Sequence, residues 1–237
     1  MVVSHRLQWL DPNDSEAPFP DVEYALKEPD GLLAIGGDLS PSRLLRAYRH
    51  GIFPWYSDDQ PILWWSPDPR SVLYPEHIKV SRSLRRTLRR NVFSVTADVA
   101  FRRVIQYCAE PRSTGAGTWL THDMVEAYCR LHAGGYAHSV ETWHEGDLVG
   151  GLYGVVLGKI FFGESMFSRC SDASKVAFLR LAEHLQKWGY ALIDCQVASA
   201  HLTSLGAQAI PRSDFIAALN QYCNLSTSWG PWGDPYG

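Results

Sequence analysis

The run from Phe161 to Gln196, FFGESMFSRCSDASKVAFLRLAEHLQKWGYALIDCQ, constrains this chain most, because it sets two acids and an amide inside apolar segments. Ile160 to Phe167 is aromatic-rich and ends at a polar turn, which predicts a strand. Asp172 is expected to cap a helix carrying Val176, Phe178, Leu179, Ala182 and Leu185 and closed by Gly189. A second strand is expected from Tyr190 to Val197. Alternation along a strand places Phe162, Glu164 and Met166 on one face. It likewise pairs Asp194 with Gln196, and Ile193 with Cys195 on the opposite side. An unpaired carboxylate in an apolar setting is costly. The pattern alone leaves two accounts open: an edge strand whose Asp and Gln face water, or polar groups built into the core for a purpose.

The remainder of the chain narrows the function classes. A length of 237 residues permits one large domain or two small ones, and 46% hydrophobic with 20% charged residues describes an ordinary soluble globular protein. With a net charge of −3, any contact with nucleic acid has to use a local basic patch. The five cysteines are odd in number and show no CxxC pairing, and the nine histidines show no HExxH spacing. Reduced thiols and no metal framework are therefore expected. With no leader peptide and no apolar run approaching ~18 residues, a soluble protein inside the cell is expected.

Residues 1 to 16 read as a loosely held polar terminus. Gly36, Gly37 and Pro41 then punctuate the chain, and Ser40 or Ser42 can start the helix RLLRAYRHG, which Gly51 closes. Phe53, Trp55, Tyr56, Trp64 and Trp65 follow within 13 residues. Such density suits a core or domain interface, or alternatively a stacking wall for a nucleobase. SPDPR, with Pro67 and Pro69, reads as a hinge, which places a domain boundary near residue 68.

Next, VSRSLRRTLRRN puts Arg82, Arg85, Arg86, Arg89 and Arg90 on one broad helical face, with Leu84 and Leu88 pointing elsewhere and Ser81 as cap. Five guanidiniums without an acid among them repel one another. The strip suits phosphate, or it is a solvated face balanced by acids from elsewhere. Beyond it the pattern reads strand and helix over residues 93–105, a loop around STGAGTW, and a helix from His122 to Ala133. Two hairpin strands and a third strand after Gly158 and Lys159 lead into the opening run. The tail after Cys223, rich in Gly, Pro and Trp, reads as irregular.

GGDLSP, GIFPWYS, ILWWSPDPR, GESMFS, LIDCQ and HLTSLGAQAIPR together resemble the leucyl/phenylalanyl-tRNA–protein transferase family, over roughly residues 17 to 218. The strand–strand–strand–helix–strand order matches the acyl-CoA N-acyltransferase-like fold. The expected class is thus α+β: a small domain over 1–68 and a GNAT-like mixed sheet flanked by helices over 69–237. Those acetyltransferases hold CoA on a Gly-rich loop, whereas SRCSDAS here has no glycine and carries an acid, so CoA is not expected.

The resemblance implies an aminoacyltransferase without cofactor. It would move Leu, Phe or Met from tRNA to the N-terminal Arg or Lys of a protein and so mark that protein for degradation. A cytoplasmic monomer, with no membrane partner, is expected. The resemblance places Asp194, Gln196 and Glu164 at the chemistry and Trp55, Trp119 and Tyr128 at the aminoacyl-adenosine. It assigns Leu152, Met166, Phe178, Leu181, Leu185 and Ile193 to a pocket for the donor side chain, and tRNA to the arginine strip. Asp194 would accept a hydrogen bond from the attacking amine, Gln196 would position the reacting groups, and Glu164 would hold both in register or meet the acceptor's positive side chain.

Overall fold

The computed structural model describes residues 7–111, 120–226 and 232. β1 (Gln8–Leu10), β2 (Leu32–Gly36), β3 (Phe53–Pro54) and β4 (Leu63–Trp65) form a small sheet in the order β1-β2-β4-β3, with α1 (Pro41–Arg49) between β2 and β3. Ser40 caps α1 by accepting the Arg43 N–H, and Pro41 occupies its first turn, where a missing N–H is harmless. Gly51 closes the helix with a φ of 74°, which glycine adopts without strain.

The N-terminal segment is more tightly held than its composition suggests. Residues 8–10 pair in parallel with β2, and Leu10 is buried. The fully buried guanidinium of Arg43 bonds Asp38 and the carbonyls of Asp11, Asp14 and Ala17. One long cation thus organises several backbone acceptors that are distant in sequence, a link that local pattern cannot reveal. The expected loose terminus is corrected for residues 7–16.

The second sheet contains β5 (Arg70–Leu73), β6 (Ser94–Ala97), β7 (Ala137–His144), β8 (Asp147–Leu157), β9 (Ile160–Ser168), β10 (Leu192–Gln196) and β11 (Gln208–Ile210). Their order is β11-β5-β10-β9-β8-β7-β6; β9 and β10 run parallel, and the other pairings are antiparallel. The helices are α2 (Arg82–Arg90), α3 (Phe101–Ala109), α4 (His122–Ala133), α5 (Ala173–Lys187), α6 (Ala200–Ser204) and α7 (Arg212–Tyr222). α5 covers one face of the sheet, burying Phe178, Leu181 and Leu185 against Leu152, Phe161 and Ile193. α3, α4 and α1 cover the other, where Phe101, Tyr128 and Tyr48 meet Tyr153 and Phe162. The expected α+β class, a mixed sheet flanked by helices, is what the chain adopts.

Two irregularities in this sheet matter. β10 lies between β5 and β9, so Asp194 faces a core rather than water, and the edge-strand account falls. In β9, Gly163 and Ser165 oppose the consecutive residues Gly154 and Tyr153, leaving Glu164 as an extra residue. Such a bulge reverses the alternation beyond it. Phe162 therefore joins the α3–α4 side, whereas Met166 packs on the α5 side. The expected shared face of Phe162, Glu164 and Met166 is thereby corrected.

The chain passes from one sheet to the other between Trp65 and Arg70. That proline-containing segment is bonded to α7: the Arg212 N–H donates to Asp68 at 3.0 Å and its guanidinium to the Ser66 carbonyl at 2.7 Å.

Candidate functional site

The centre of the site is a buried ion pair. Arg70 opens β5 and Asp194 sits on the neighbouring β10, and both side chains are essentially inaccessible. Arg70 donates Nε to Oδ1 at 2.8 Å and Nη2 to Oδ2 at 2.7 Å, the two-pronged geometry in which a guanidinium matches a carboxylate. Its third arm donates to the Gly51 carbonyl at 3.1 Å. The guanidinium also lies over the Phe53 and Phe215 rings, at 4.8 and 4.6 Å from their centroids. Asp194 Oδ1 accepts in addition the backbone N–H of Gln196 at 2.9 Å. That contact holds a second bulge, between Asp194 and Gln196, in which Gln196 takes a φ of 61°. A left-handed glutamine is held there by the carboxylate beneath it.

Gln196 in turn donates Nε2 to Glu164 Oε1 at 2.8 Å. Glu164 belongs to a ring of oxygens: Tyr48 donates to Oε1 at 2.8 Å, Tyr128 donates to Oε2 at 2.7 Å, and the two phenolic oxygens lie 2.6 Å apart. Three contacts connect these four oxygens, and two phenolic protons can fill only two of them. With a proton on the carboxyl group as well, one tyrosine donates to the other instead of to Glu164, the carboxyl donates to that first tyrosine in turn, and all three contacts are filled. Burial pushes Glu164 from 4.5 up to about 7; the hydrogen bonds from Tyr128 and Tyr48 oppose the shift and the nearby Asp194 charge adds to it. The same burial, with the Glu164 charge, raises both tyrosines well above their ordinary range.

Above this network lies a cavity of about 530 Å³ between α5 and the sheet. Leu152, Met166, Phe178, Leu181 and Ile193 line it, and Glu164 and Gln196 bring polar groups to its wall. Leu185, expected among the lining, is wholly buried behind it, one helical turn beyond Leu181. Phe161 and Phe167, which periodicity reads only as strand core, are part of the wall.

Other expected residues fall differently. Tyr128 has no exposed surface and reaches the site only through Glu164. Asp194 is equally inaccessible; its carboxylate is engaged by Arg70 and the Gln196 backbone N–H, and it borders the cavity from beneath Gln196. Trp55 is 44% exposed and leans on Trp65, whose indole N–H donates to the Trp55 carbonyl. Trp64 is core, its N–H on the Gly36 carbonyl. Trp119 and the STGAGTW loop lie outside the described residues. Asp172 stands at the N-cap of α5, as expected, but its side chain makes no capping bond: at a φ of 66° the carboxylate meets Thr87 and Lys175, which fastens α2 to the start of α5. α2 itself is capped by Ser81 and buries Leu84, and Arg82, Arg85, Arg86, Arg89 and Arg90 are all exposed. Among the described residues none of the five is in an ion pair.

A family model described as leucyl/phenylalanyl-tRNA protein transferase matches residues 72–220, and one for the N-terminal domain of that family matches residues 37–68. A protein of that name from Aromatoleum aromaticum is 63% identical over 214 residues, spanning 90% of each chain. The chain belongs to the leucyl/phenylalanyl-tRNA–protein transferase family. It is an aminoacyltransferase. A member from Methylococcus capsulatus is 58% identical over 226 residues, or 95% of this chain and 96% of its own. Among solved structures, a GCN5-related N-acetyltransferase from Kribbella flavida overlaps 71% of this chain and 60% of its own, with a TM-score of 0.36 and 9% identity.

The candidate site includes two residues not expected from the sequence, Arg70 and Tyr48. Arg70 carries a legible signal, since a lone cation opening the apolar run SVLY is the mate that an acid inside another apolar strand requires. Tyr48 carries none, because a tyrosine on the apolar face of a helix reads as packing.

The Glu164 ring gives a pH dependence of stability. Between 4.5 and about 7 the folded carboxyl keeps a proton that the unfolded chain has released. Stability therefore declines as pH rises through that window, by about 3 kcal/mol from this group. Urea unfolding at pH 5 and pH 8 should show Glu164→Gln losing this part of the decline; an undiminished decline in the variant would contradict the assignment.

Proposed function

We propose that this transferase moves a leucyl, phenylalanyl or methionyl group from the 3′ end of tRNA to the α-amine of a protein beginning with Arg or Lys. The observation that carries the proposal is the apolar cavity with Glu164 and Gln196 at its wall. A side chain unbranched at Cβ fits such a cavity, and its carbonyl carbon then falls beside the polar pair.

The donor ester is already activated, so the reaction needs no cofactor. The acceptor amine, with a reference pKa of ~8, is available as free base near neutrality. Because Glu164 receives the Gln196 Nε2, the amide's orientation is fixed and its carbonyl oxygen is left to accept the amine N–H. Asp194 acts behind it, fixing the Gln196 backbone. The amine attacks the ester carbonyl, the new C–N bond forms, the C–O bond to ribose breaks, and the amine's proton ends on the ribose oxygen. Orientation supplies most of the acceleration.

Trp55 and Trp119 stack the terminal adenosine, and the arginines of α2 meet the RNA backbone. In this reading a domain boundary near residue 68 separates a small lid-side unit from the catalytic unit. The enzyme works in the cytoplasm as a monomer, and its product, with a bulky apolar N-terminus, is directed to degradation.

Two experiments test the proposal. tRNA charged with labelled Phe is mixed with two peptides that differ only in a free or acetylated N-terminal Arg. Label is expected on the free-amine peptide alone; label on both or neither would defeat the proposed acceptor. Separately, replacing Arg85, Arg86 and Arg89 with Ala should weaken tRNA binding and reduce the slope of log affinity against log salt by about 3. An unchanged slope would remove α2 from the interface.

A further inference from the structure

Trp232, beyond α7 in the Gly- and Pro-rich tail, is only 4% exposed. Its ring is stacked on His138 of β7, with centroids 4.3 Å apart and planes 8° from parallel. It meets Trp188, just past α5, at 5.4 Å, His184 of α5 at 6.1 Å and Phe161 of β9 at 6.3 Å. The seat is itself anchored, for Asp98 lies 2.7 Å from His138 Nδ1 and accepts the Ser139 N–H at 2.9 Å.

Trp232 therefore fills the same layer between α5 and the sheet in which the cavity lies. Phe178 and Leu181 of α5 line the cavity, while His184 and Trp188, further along, grip the indole. Phe161 belongs to both, as cavity wall on one side and neighbour of Trp232 on the other. It cannot retreat toward the sheet, because its ring already crosses the bare Cα of Gly154, where an added Cβ would lie 2.5 Å from it. The indole N–H has no partner among the described residues, so the seat uses the ring's shape rather than its polarity.

We propose that Trp232 is a positioning residue for substrate selection, a wedge that holds Phe161 and α5 in place and thereby fixes the depth of the cavity. This rests on reading the cavity as the seat of the donor side chain. Without the wedge, Phe161 can swing into the vacated space and the cavity lengthens toward larger aromatic donors.

The test compares transfer from tRNA acylated with Trp and with Leu. Trp232→Ala should raise the Trp-to-Leu ratio of kcat/KM by about tenfold, the scale on which apolar pockets discriminate size, while Trp232→Phe should restore the parent ratio. A loss equal for both donors would show mere destabilisation and overturn the proposal, as would an unchanged ratio. Leu181→Trp, which fills the cavity, separates the two levels. If it leaves transfer of Phe intact, the cavity reading fails. If it blocks transfer while Trp232→Ala leaves the ratio unchanged, only the wedge fails.

Discussion

The buried pair between Arg70 and Asp194 is the interaction on which the rest of the site depends. Each ion leaves water at considerable cost, and the pair survives because its geometry is two-pronged and its remaining valences are filled. Removing one partner of such a pair typically costs about 3–5 kcal/mol, since the other charge is stranded. The pair also joins segments far apart in sequence. Arg70 touches the Gly51 carbonyl and the Phe53 ring from the N-terminal part, Phe215 from α7, and Asp194 from β10. The same cation that packs the two parts of the chain together sets the backbone of Gln196.

From that anchor the polar groups build outward in layers. Asp194 holds the bulge that turns Gln196 over, Gln196 meets Glu164, and Glu164 is fixed by two tyrosines brought by α1 and α4. The bulges of β9 and β10 fall at these residues. A regular ladder would place Met166 on the Glu164 side of the sheet; the bulge instead delivers the carboxyl to the tyrosines and Met166 to the cavity. One extra residue in β9 thus permits an apolar pocket and a polar network to meet at a common wall.

Much of this was legible in the sequence. The composition of IFFGESMF and the alternation in LIDCQ predict strands, the periodicity of ASKVAFLRLAEHL predicts the helix between them, and the arginine face with its Ser81 cap forms as patterned. The misses share a physical cause. Residues 7–16 are ordered by a distant guanidinium, the Asp172 side chain joins α2 to α5 instead of capping it, and Leu185 lies one turn too deep. Each depends on tertiary partners that a local window does not contain. Bulges are equally invisible there, because one inserted residue leaves composition unchanged while it reverses every later side chain.

The central claim, that Arg70 supports transfer by way of Gln196, is tested most directly by a double-mutant cycle in the transfer rate. Arg70→Gln, Gln196→Ala and the double variant would be compared with the parent at saturating tRNA and peptide, with folding checked by thermal unfolding. If Arg70 acts through Gln196, the double variant is no slower than the slower single one. Losses that multiply would mean that the two residues act independently, and the layered account of the site would be wrong.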